Sequence, residues 1–294
     1  MRKLLFISIL IVNICKGQTN DFSESFYFFP QNIFLLVPSY GGVNSDAQAN
    51  LLYRSYFGQL TAIRAYAADV NFNVQKKSKV FPEQNKHIIG GGFYSEREGD
   101  FINRNRILLR YAWHTRLTET FNLSGGAAFH VINYLFRSSS AGSNGSDFAG
   151  SGNVSASVYS ETFKLGLSIN DFNEPTLKPI DNPSIVYRYY TGHLEKSLGI
   201  SPKSRFIGSF RCNYIPKGYS TGILHLGIIF SEKVGINVLA HSSSGLGFSL
   251  DLNKIEIENS FLDVSFGYRV PYAKGARVPY NSYEINVGYY LVRQ

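Results

Sequence analysis

Five basic side chains lie at even positions within one short stretch of the chain. They are Arg104, Arg106, Arg110, His114 and Arg116. Successive side chains of a β-strand point to opposite faces, so a strand here would place all five on one face. Such a row can pair with carboxylates from facing strands, for which Asp251, Asp263 and Glu284 are candidates. Alternatively, it can attract anions along the wall of a pore. The sequence favours pairing and leaves the second interpretation open.

The odd positions of the same stretch are apolar or aromatic. They include Ile107, Leu109, Tyr111 and Trp113. The alternation extends over residues 104–117, whereas strands of soluble sheets are usually about five or six residues long. A strand that crosses a bilayer at a tilt needs roughly 9–11 residues. We therefore expect these four side chains to face lipid and the basic row to face a polar barrel interior.

Similar alternation recurs along most of the chain, for example at 163–170, 246–253 and 262–270. Fourteen strands are predicted, over residues 47–58, 61–73, 86–95, 101–115, 119–133, 148–159, 161–170, 184–194, 203–214, 220–230, 232–241, 244–253, 257–270 and 280–292. An even number is typical of bacterial outer-membrane barrels. The predicted fold class is therefore all-β: a single up-and-down antiparallel transmembrane β-barrel of about fourteen strands over residues 46–294, with 12 to 16 strands left open.

Two segments precede the predicted barrel. Residues 1–17 resemble a signal peptide for export, because Arg2 and Lys3 are followed by an apolar run and by Gly17. Residues 18–45 are rich in aromatic side chains, which would expose a large apolar patch if the segment were free in water. We therefore expect this segment to be ordered against the barrel, as a plug or as a docking element. Cleavage would leave Cys212 as the single cysteine, which excludes an internal disulfide.

The sequence does not favour an enzyme. His241 precedes three serines at 242–244, but no Gly-x-Ser-x-Gly motif is present, and the serines lie in a predicted turn. The six histidines show no metal-ligand spacing, and no cofactor is predicted. The net charge of +8 is spread along the strands, so a nucleic-acid partner is not expected. The Ser- and Gly-rich stretch 137–152 is predicted as an external loop, and 171–175 suits an ordered, partner-facing loop.

Three ordered motifs resemble the PorP/SprF family. Residues 22–30 (FSESFYFFP) and 36–42 (LVPSYGG) resemble its opening, 53–57 (YRSYF) its next block, and 166–175 (GLSINDFNEP) a later strand and loop. The matching positions include Phe22, Ser23, Pro30, Pro38, Tyr40, Gly42, Tyr53, Arg54, Gly166, Ser168 and Pro175. Val37 stands where the family has Asn, and Asn170 stands where it usually has His.

The resemblance implies an outer-membrane barrel of the type IX secretion and gliding machinery. It implies a protein that assists secretion or surface display of cargo such as adhesins. Its partners would be outer-membrane lipids, periplasmic lipoproteins of the same system and the exported cargo. The alternative is a diffusion porin or a small-solute, anion-preferring transporter. The sequence leaves open the cargo, the oligomeric state and whether the pore is plugged.

Overall fold

The computed structural model describes residues 26, 33–43, 45–58, 61–74, 85–137, 144–180, 183–216, 220–242, 244–272 and 280–291. The predicted signal peptide at 1–17 lies outside these residues. Within them, the strands are β1 (Ala47–Tyr56), β2 (Arg64–Asn73), β3 (Asn85–Glu98), β4 (Ile102–Arg116), β5 (Asn122–Phe136), β6 (Gly145–Tyr159), β7 (Phe163–Asn170), β8 (Thr176–Leu177), β9 (Ser184–Ile185), β10 (Tyr189–Ser201), β11 (Ser204–Tyr214), β12 (Thr221–Phe230), β13 (Val234–His241), β14 (Gly245–Ile257), β15 (Ser260–Val270) and β16 (Ser282–Leu291).

All strands except β8 and β9 form one closed antiparallel barrel. Each pairs with its neighbours in chain order, and the barrel closes where β1 pairs with β16, with Ala47 opposite Leu291. The two-residue strands β8 and β9 pair only with each other. Over the described residues the barrel has fourteen strands, so the predicted fold class and strand number are confirmed. No helix among these residues is long and apolar enough to cross a membrane.

The two ends of the barrel differ in their connections. The turns that follow β4, β6, β10, β12 and β14 are short, and they lie at the end where β1 begins and β16 finishes. We call this the short-turn end, and the opposite one the long-loop end. Outer-membrane barrels have short turns on the periplasmic side and longer loops outside the cell. The connection between β2 and β3, residues 74–84, is longer than this rule predicts.

Alternation along the strands gives the wall an apolar outside and a polar inside. Exposed apolar side chains on the outside include Leu167, Phe248, Leu250 and Phe266. Buried polar side chains on the inside include Asn50, Asp69, His130, Thr191 and Arg269. Towards the long-loop end the outer face becomes polar. Asn105 and Asn133 lie there, and the Asn105 amide donates a hydrogen bond to Asn133 Oδ1. A belt of apolar residues bounded in this way is the surface that a bilayer requires.

The stretch 137–152 was predicted as an external loop, which is wrong for residues 145–152, because these belong to β6. β6 begins at Gly145, opposite Phe136 of β5, and pairs from there to its end. The small residues that suggested a loop instead make room for other parts of the chain. A Cβ atom at Gly152 would lie 2.5 Å from the Phe172 ring, and one at Gly145 would overlap the Pro179 carbonyl.

Candidate functional site: the filled lumen

Residues 33–43 lie inside the barrel. They form two 3-10 turns, Ile33–Leu35 and Pro38–Tyr40, and most of their side chains are buried. Proline suits the start of such a turn, because its missing N–H would have no partner there. Gly42, at φ 76°, adopts the left-handed conformation that glycine tolerates, and the chain then leads into β1. We call residues 33–43 the lumen segment.

The apolar side of the lumen segment packs on the far wall of the barrel. Its buried cluster contains Ile33, Phe34, Leu36, Val37 and Tyr40, together with Ile223 of β12 and Leu239 of β13. Its other side faces β4, β5 and β6, which supply most of its hydrogen bonds. The segment therefore bridges the lumen from one wall to the other.

Arg110, the centre of the predicted basic row, binds both the wall and the lumen segment. Its Nη2 atom lies 2.7 Å from Asp69 Oδ2, and its Nη1 atom donates to the Phe34 carbonyl at 3.1 Å. Its guanidinium also stacks over the Phe34 ring, 4.7 Å from the centroid. Asp69 is two strands away, and the absence of a side chain at the intervening Gly90 opens the path. Because both ionic groups are buried, removing either would leave an uncompensated charge.

Two histidines hold the C-terminal part of the lumen segment. His114 Nε2 is hydrogen-bonded to the Gly41 carbonyl at 2.8 Å, and its Nδ1 to Tyr159 Oη at 2.9 Å. On the neighbouring wall, His193 Nδ1 lies 3.1 Å from Tyr40 Oη. Burial, and then the nearby Glu195, raise the pKa of the Tyr40 hydroxyl, so Tyr40 stays neutral. These bonds are neutral and directional, and they position the segment without adding charge.

The backbone of Ser39 is hydrogen-bonded to two serines of the wall. Its N–H donates to Ser155 Oγ and its carbonyl accepts from Ser124 Oγ, both at 2.7 Å. The wall carries glycine where the segment comes closest. A Cβ atom at Gly126 would overlap the Ser39 backbone, and one at Gly166 would lie 2.7 Å from Tyr40 Oη. The family-motif positions Tyr40 and Gly166, far apart in sequence, therefore meet in the lumen.

Two further arginines of the row, Arg104 and Arg106, also have carboxylate partners. Arg106 lies 3.4 Å from Asp171, whose other oxygen lies 2.7 Å from His130 Nε2. Burial raises the pKa of Asp171, but Arg106 and then His130 outweigh it and hold that pKa below its usual value. Arg104 lies 2.5 Å from Glu98 Oε1.

These partners correct part of the sequence interpretation. Asp251 accepts from the Asn237 amide, and Asp263 accepts from the Lys254 backbone, so the ion pairs of the row use Asp69, Glu98 and Asp171 instead.

Arg116 differs from the rest of the row. It is exposed, and its guanidinium donates to the carbonyls of Thr118 and Glu119 in the turn after β4. The strand ends there, so the side chain folds back onto the turn.

The odd positions of the same strand lie on the outer surface. Ile107 and Leu109 are 61% and 67% exposed, and Tyr111 and Trp113 are less exposed.

Several other family-motif positions that the structure describes contact neighbouring parts of the chain. Arg54 forms an inward ion pair with Glu96 at 3.1 Å, and Tyr53 packs outside against Tyr66 and Tyr283. Ser168 donates to the Val154 carbonyl and to Asn170. The Pro175 carbonyl accepts from the Val186 N–H. Phe22, Ser23 and Pro30 lie outside the described residues.

A second occluding element lies at the long-loop end. Residues 171–180 and 183–188, which we call the inner hairpin, contain β8 and β9 and fold into the mouth of the barrel. Leu177 and Val186 are buried there with Phe26 and Ile132. The predicted partner-facing loop at 171–175 is thus partly internal, because Asp171 is anchored by Arg106.

A cavity of about 800 Å³ remains at the short-turn end. Val43 and Leu239 line the cavity on the side of the lumen segment. Most of the other lining residues are polar or charged, among them Glu195, Asp251 and Lys254. The described residues contain no group of three or more His, Cys, Asp or Glu side chains that could hold a metal ion. Ser242 Oγ accepts a hydrogen bond from the Gly222 N–H at 3.0 Å.

A closed barrel with an apolar belt and a polar interior is an outer-membrane β-barrel. Residues 17–290 match the family described as type IX secretion system membrane protein PorP/SprF, and the chain belongs to that family. It is therefore a membrane component of the type IX secretion system, located in the outer membrane. The comparison with curated proteins gave no match.

Several solved structures share the fold. A FadL homologue from Pseudomonas aeruginosa is 6% identical, covers 83% of this chain and 89% of its own, and has a TM-score of 0.50. The CymD monoaromatic hydrocarbon channel is 8% identical, with 90% and 92% covered and a TM-score of 0.53. The toluene transporter TbuX from Ralstonia pickettii is 8% identical, with 87% and 92% covered and a TM-score of 0.52. At these identities the similarity shows the fold alone.

Proposed function

We propose that this barrel assists secretion or surface display of exported proteins through protein–protein contacts, and does not conduct small solutes. The observation that carries the proposal is the lumen segment, which bridges the barrel between β4–β6 and the β12–β13 wall. A diffusion pore needs a continuous water-filled path. Here the middle of the lumen holds a packed apolar cluster, and the long-loop mouth holds the inner hairpin.

The charges of the interior support the same proposal. A pore that selects anions presents unpaired basic groups to its ions. Arg104, Arg106 and Arg110 instead lie beside carboxylates, and Arg110 also binds the lumen segment. Arg106 therefore holds the inner hairpin in place, and Arg110 holds the lumen segment.

The two ends of the barrel offer separate surfaces for partners. The cavity at the short-turn end opens towards the periplasm in the orientation usual for such barrels, and suits contact with a periplasmic lipoprotein of the secretion system. The opposite end carries the inner hairpin and suits contact with an exported adhesin or another cargo protein. Both assignments extend what membership of the family implies.

Gene deletion tests the proposal. We expect deletion to abolish surface display of one or a few exported proteins, while uptake of small hydrophilic solutes stays normal. Surface-protein labelling followed by mass spectrometry measures the first, and radiolabelled solute uptake the second. An unchanged surface profile together with reduced solute uptake would contradict the proposal.

A small-solute transporter is the second candidate. The hydrocarbon channels that share this fold, and the polar cavity at the short-turn end, favour it. It predicts a large, steady conductance or saturable solute uptake by the purified wild-type barrel. A barrel whose lumen is filled should instead show low or irregular conductance.

A further inference from the structure

The wall of the barrel has an incomplete ladder beside β6. On its β5 side, β6 pairs over its whole length, from Gly145 to Tyr159. On its β7 side, the pairing covers only residues 154–159. Within the part of the chain that the structure describes, residues 145–153, which we call the β6 edge, therefore have no barrel strand beside them on this side. In a closed barrel such an edge is unusual, because it leaves main-chain groups without ladder partners.

The backbone of the β6 edge shows which groups are available. The Gly152 carbonyl accepts a hydrogen bond from the Phe172 N–H at 3.1 Å. The main-chain N–H and C=O groups of the even residues therefore point towards the gap, because these groups alternate between the two sides of a strand. The Gly150 carbonyl accepts from the Asn173 amide at 2.8 Å, and the Phe148 N–H donates to Asp147 Oδ1. Among the described residues, the N–H groups of Gly150 and Gly152 have no hydrogen-bond acceptor outside the β5 ladder.

The inner hairpin takes the place of a strand, but it is attached mainly through side chains. Besides the bond from Phe172, its hydrogen bonds to the β6 edge include those of Asn173 with Gly150 and Ser151, of the Asp171 N–H with Asn153 Oδ1, and of the Lys178 N–H with Asp147 Oδ2. Asp171 and Glu174, at the base of the hairpin, have φ values of 50° and 45°, which non-glycine residues adopt uncommonly. Contacts rather than local preference therefore hold this segment against the edge.

We infer that the β6 edge is a docking site for an extended segment of an exported protein, which adds to β6 as a further strand. The inference rests on the proposed function for the identity of the partner. Main-chain groups at ladder spacing are satisfied by another extended backbone, and many proteins are recognised in this way. A lipid chain offers no hydrogen-bonding groups, so lipid cannot replace the strand.

The position of the edge fits a partner that arrives from outside the cell. Phe148 lies opposite Asn133, whose amide network with Asn105 marks the polar part of the outer surface. Phe148 itself is 65% exposed and provides an apolar contact beside the edge.

A matched pair of variants at one position tests the inference. Gly150→Pro removes the N–H that points to the gap while leaving the β5 ladder intact, since proline is tolerated at strand edges. Gly150→Ala keeps that N–H, and its Cβ would lie 3.4 Å from the Phe129 ring, an ordinary contact. The assay is surface display of the exported proteins that gene deletion removes. We expect at least a ten-fold loss with the proline variant and normal display with the alanine variant, both barrels being folded by heat-modifiable gel mobility.

A reversible lock provides the second variant, should the proline fail to fold. A Cβ at Gly152 faces the Phe172 side chain, so Gly152→Cys with Phe172→Cys, in a Cys212→Ser background, would tie the hairpin to the edge. The oxidised form should lose display and the reduced form should regain it.

Three results would overturn the inference. Normal display by a folded Gly150→Pro barrel, or by the oxidised lock, would remove the edge as a docking site and leave the proposed function intact. No change of surface proteins on gene deletion would overturn both. A purified dimer that Gly150→Pro dissociates, and Gly150→Ala does not, would assign the edge to a second copy of this chain.

Discussion

Gly126→Ala should dislodge the lumen segment without unfolding the barrel. A Cβ atom at Gly126 would lie 2.6 Å from the Pro38 carbonyl carbon and 2.7 Å from Ser39 Cα. Backbone atoms cannot rotate away as a flexible side chain can, so the segment itself has to move. The movement breaks the two hydrogen bonds that clasp Ser39, which contribute about 1 kcal/mol each, and adds about 1–3 kcal/mol of overpacking. The seated position should therefore lose about 3–5 kcal/mol relative to the displaced one.

Gly125→Ala is the matched control. Gly125 is the preceding residue of β5, and a Cβ atom there meets nothing within 4 Å. The two variants carry the same added methyl group, one on each face of the same strand. The assay is single-channel conductance in planar bilayers, with folding checked by heat-modifiable gel mobility. We expect low conductance for wild type and Gly125→Ala, and larger or unstable conductance for Gly126→Ala. Equal conductance of the two folded variants would refute the reasoning about the lumen segment.

The remaining predictions concern the wall and the inner hairpin. Leu109→Arg should destabilise the barrel by about 2–4 kcal/mol, because it places a charge on the lipid face; the urea midpoint of unfolding in lipid vesicles measures it. Arg110→Leu should cost about 3–5 kcal/mol in the same assay, because Asp69 is left buried without its cation, and adding Asp69→Asn should recover part of the loss. The pKa of Asp171 lies below 3.8 in the folded chain, so the anchor stabilises the hairpin above that pH and is lost as the pH falls further. Cleavage of the inner hairpin by pepsin, which is active at low pH, should therefore increase relative to cleavage of Asp171→Asn as the pH falls below 3.8; a ratio of the two cleavage rates that does not change with pH would contradict it.

Local alternation explains why the wall could be predicted from the sequence. The side chains of Leu109 and Arg110 take opposite faces because a strand has a period of two, and this follows from neighbouring residues alone. The strand count followed from the same pattern. The strand boundaries were harder to predict where small residues make room for packing. Gly145, for example, was predicted as part of a loop but pairs with β5.

The partners inside the barrel could not be predicted in the same way. Arg110 reaches Asp69 across Gly90, which depends on the stagger between three strands rather than on spacing along the chain. Asp171 reads as a loop residue, yet it is buried against Arg106 because the hairpin turns inward. Such a buried pair, which alternation along one strand does not reveal, makes Arg110→Leu about as costly as Leu109→Arg.

His193 shows what the sequence could have signalled and did not. It lies at an inward position of β10 and binds the hydroxyl of Tyr40, 153 residues earlier. The inward position of His193 could be predicted from the alternation along β10. Its partner could not, because the lumen segment has no periodic pattern from which its position could be predicted. The glycines that line the segment carry a weaker signal still, since glycine is common throughout strands of this kind.

Purification of the barrel from cross-linked cells tests the central claim most directly. The claim is that the protein acts through partners while its lumen stays filled. Mass spectrometry of the detergent extract should then identify a periplasmic lipoprotein of the secretion system and an exported surface protein, both in amounts comparable to the barrel. Recovery of the barrel alone from such cells, together with steady conductance of the purified wild-type chain, would contradict the account.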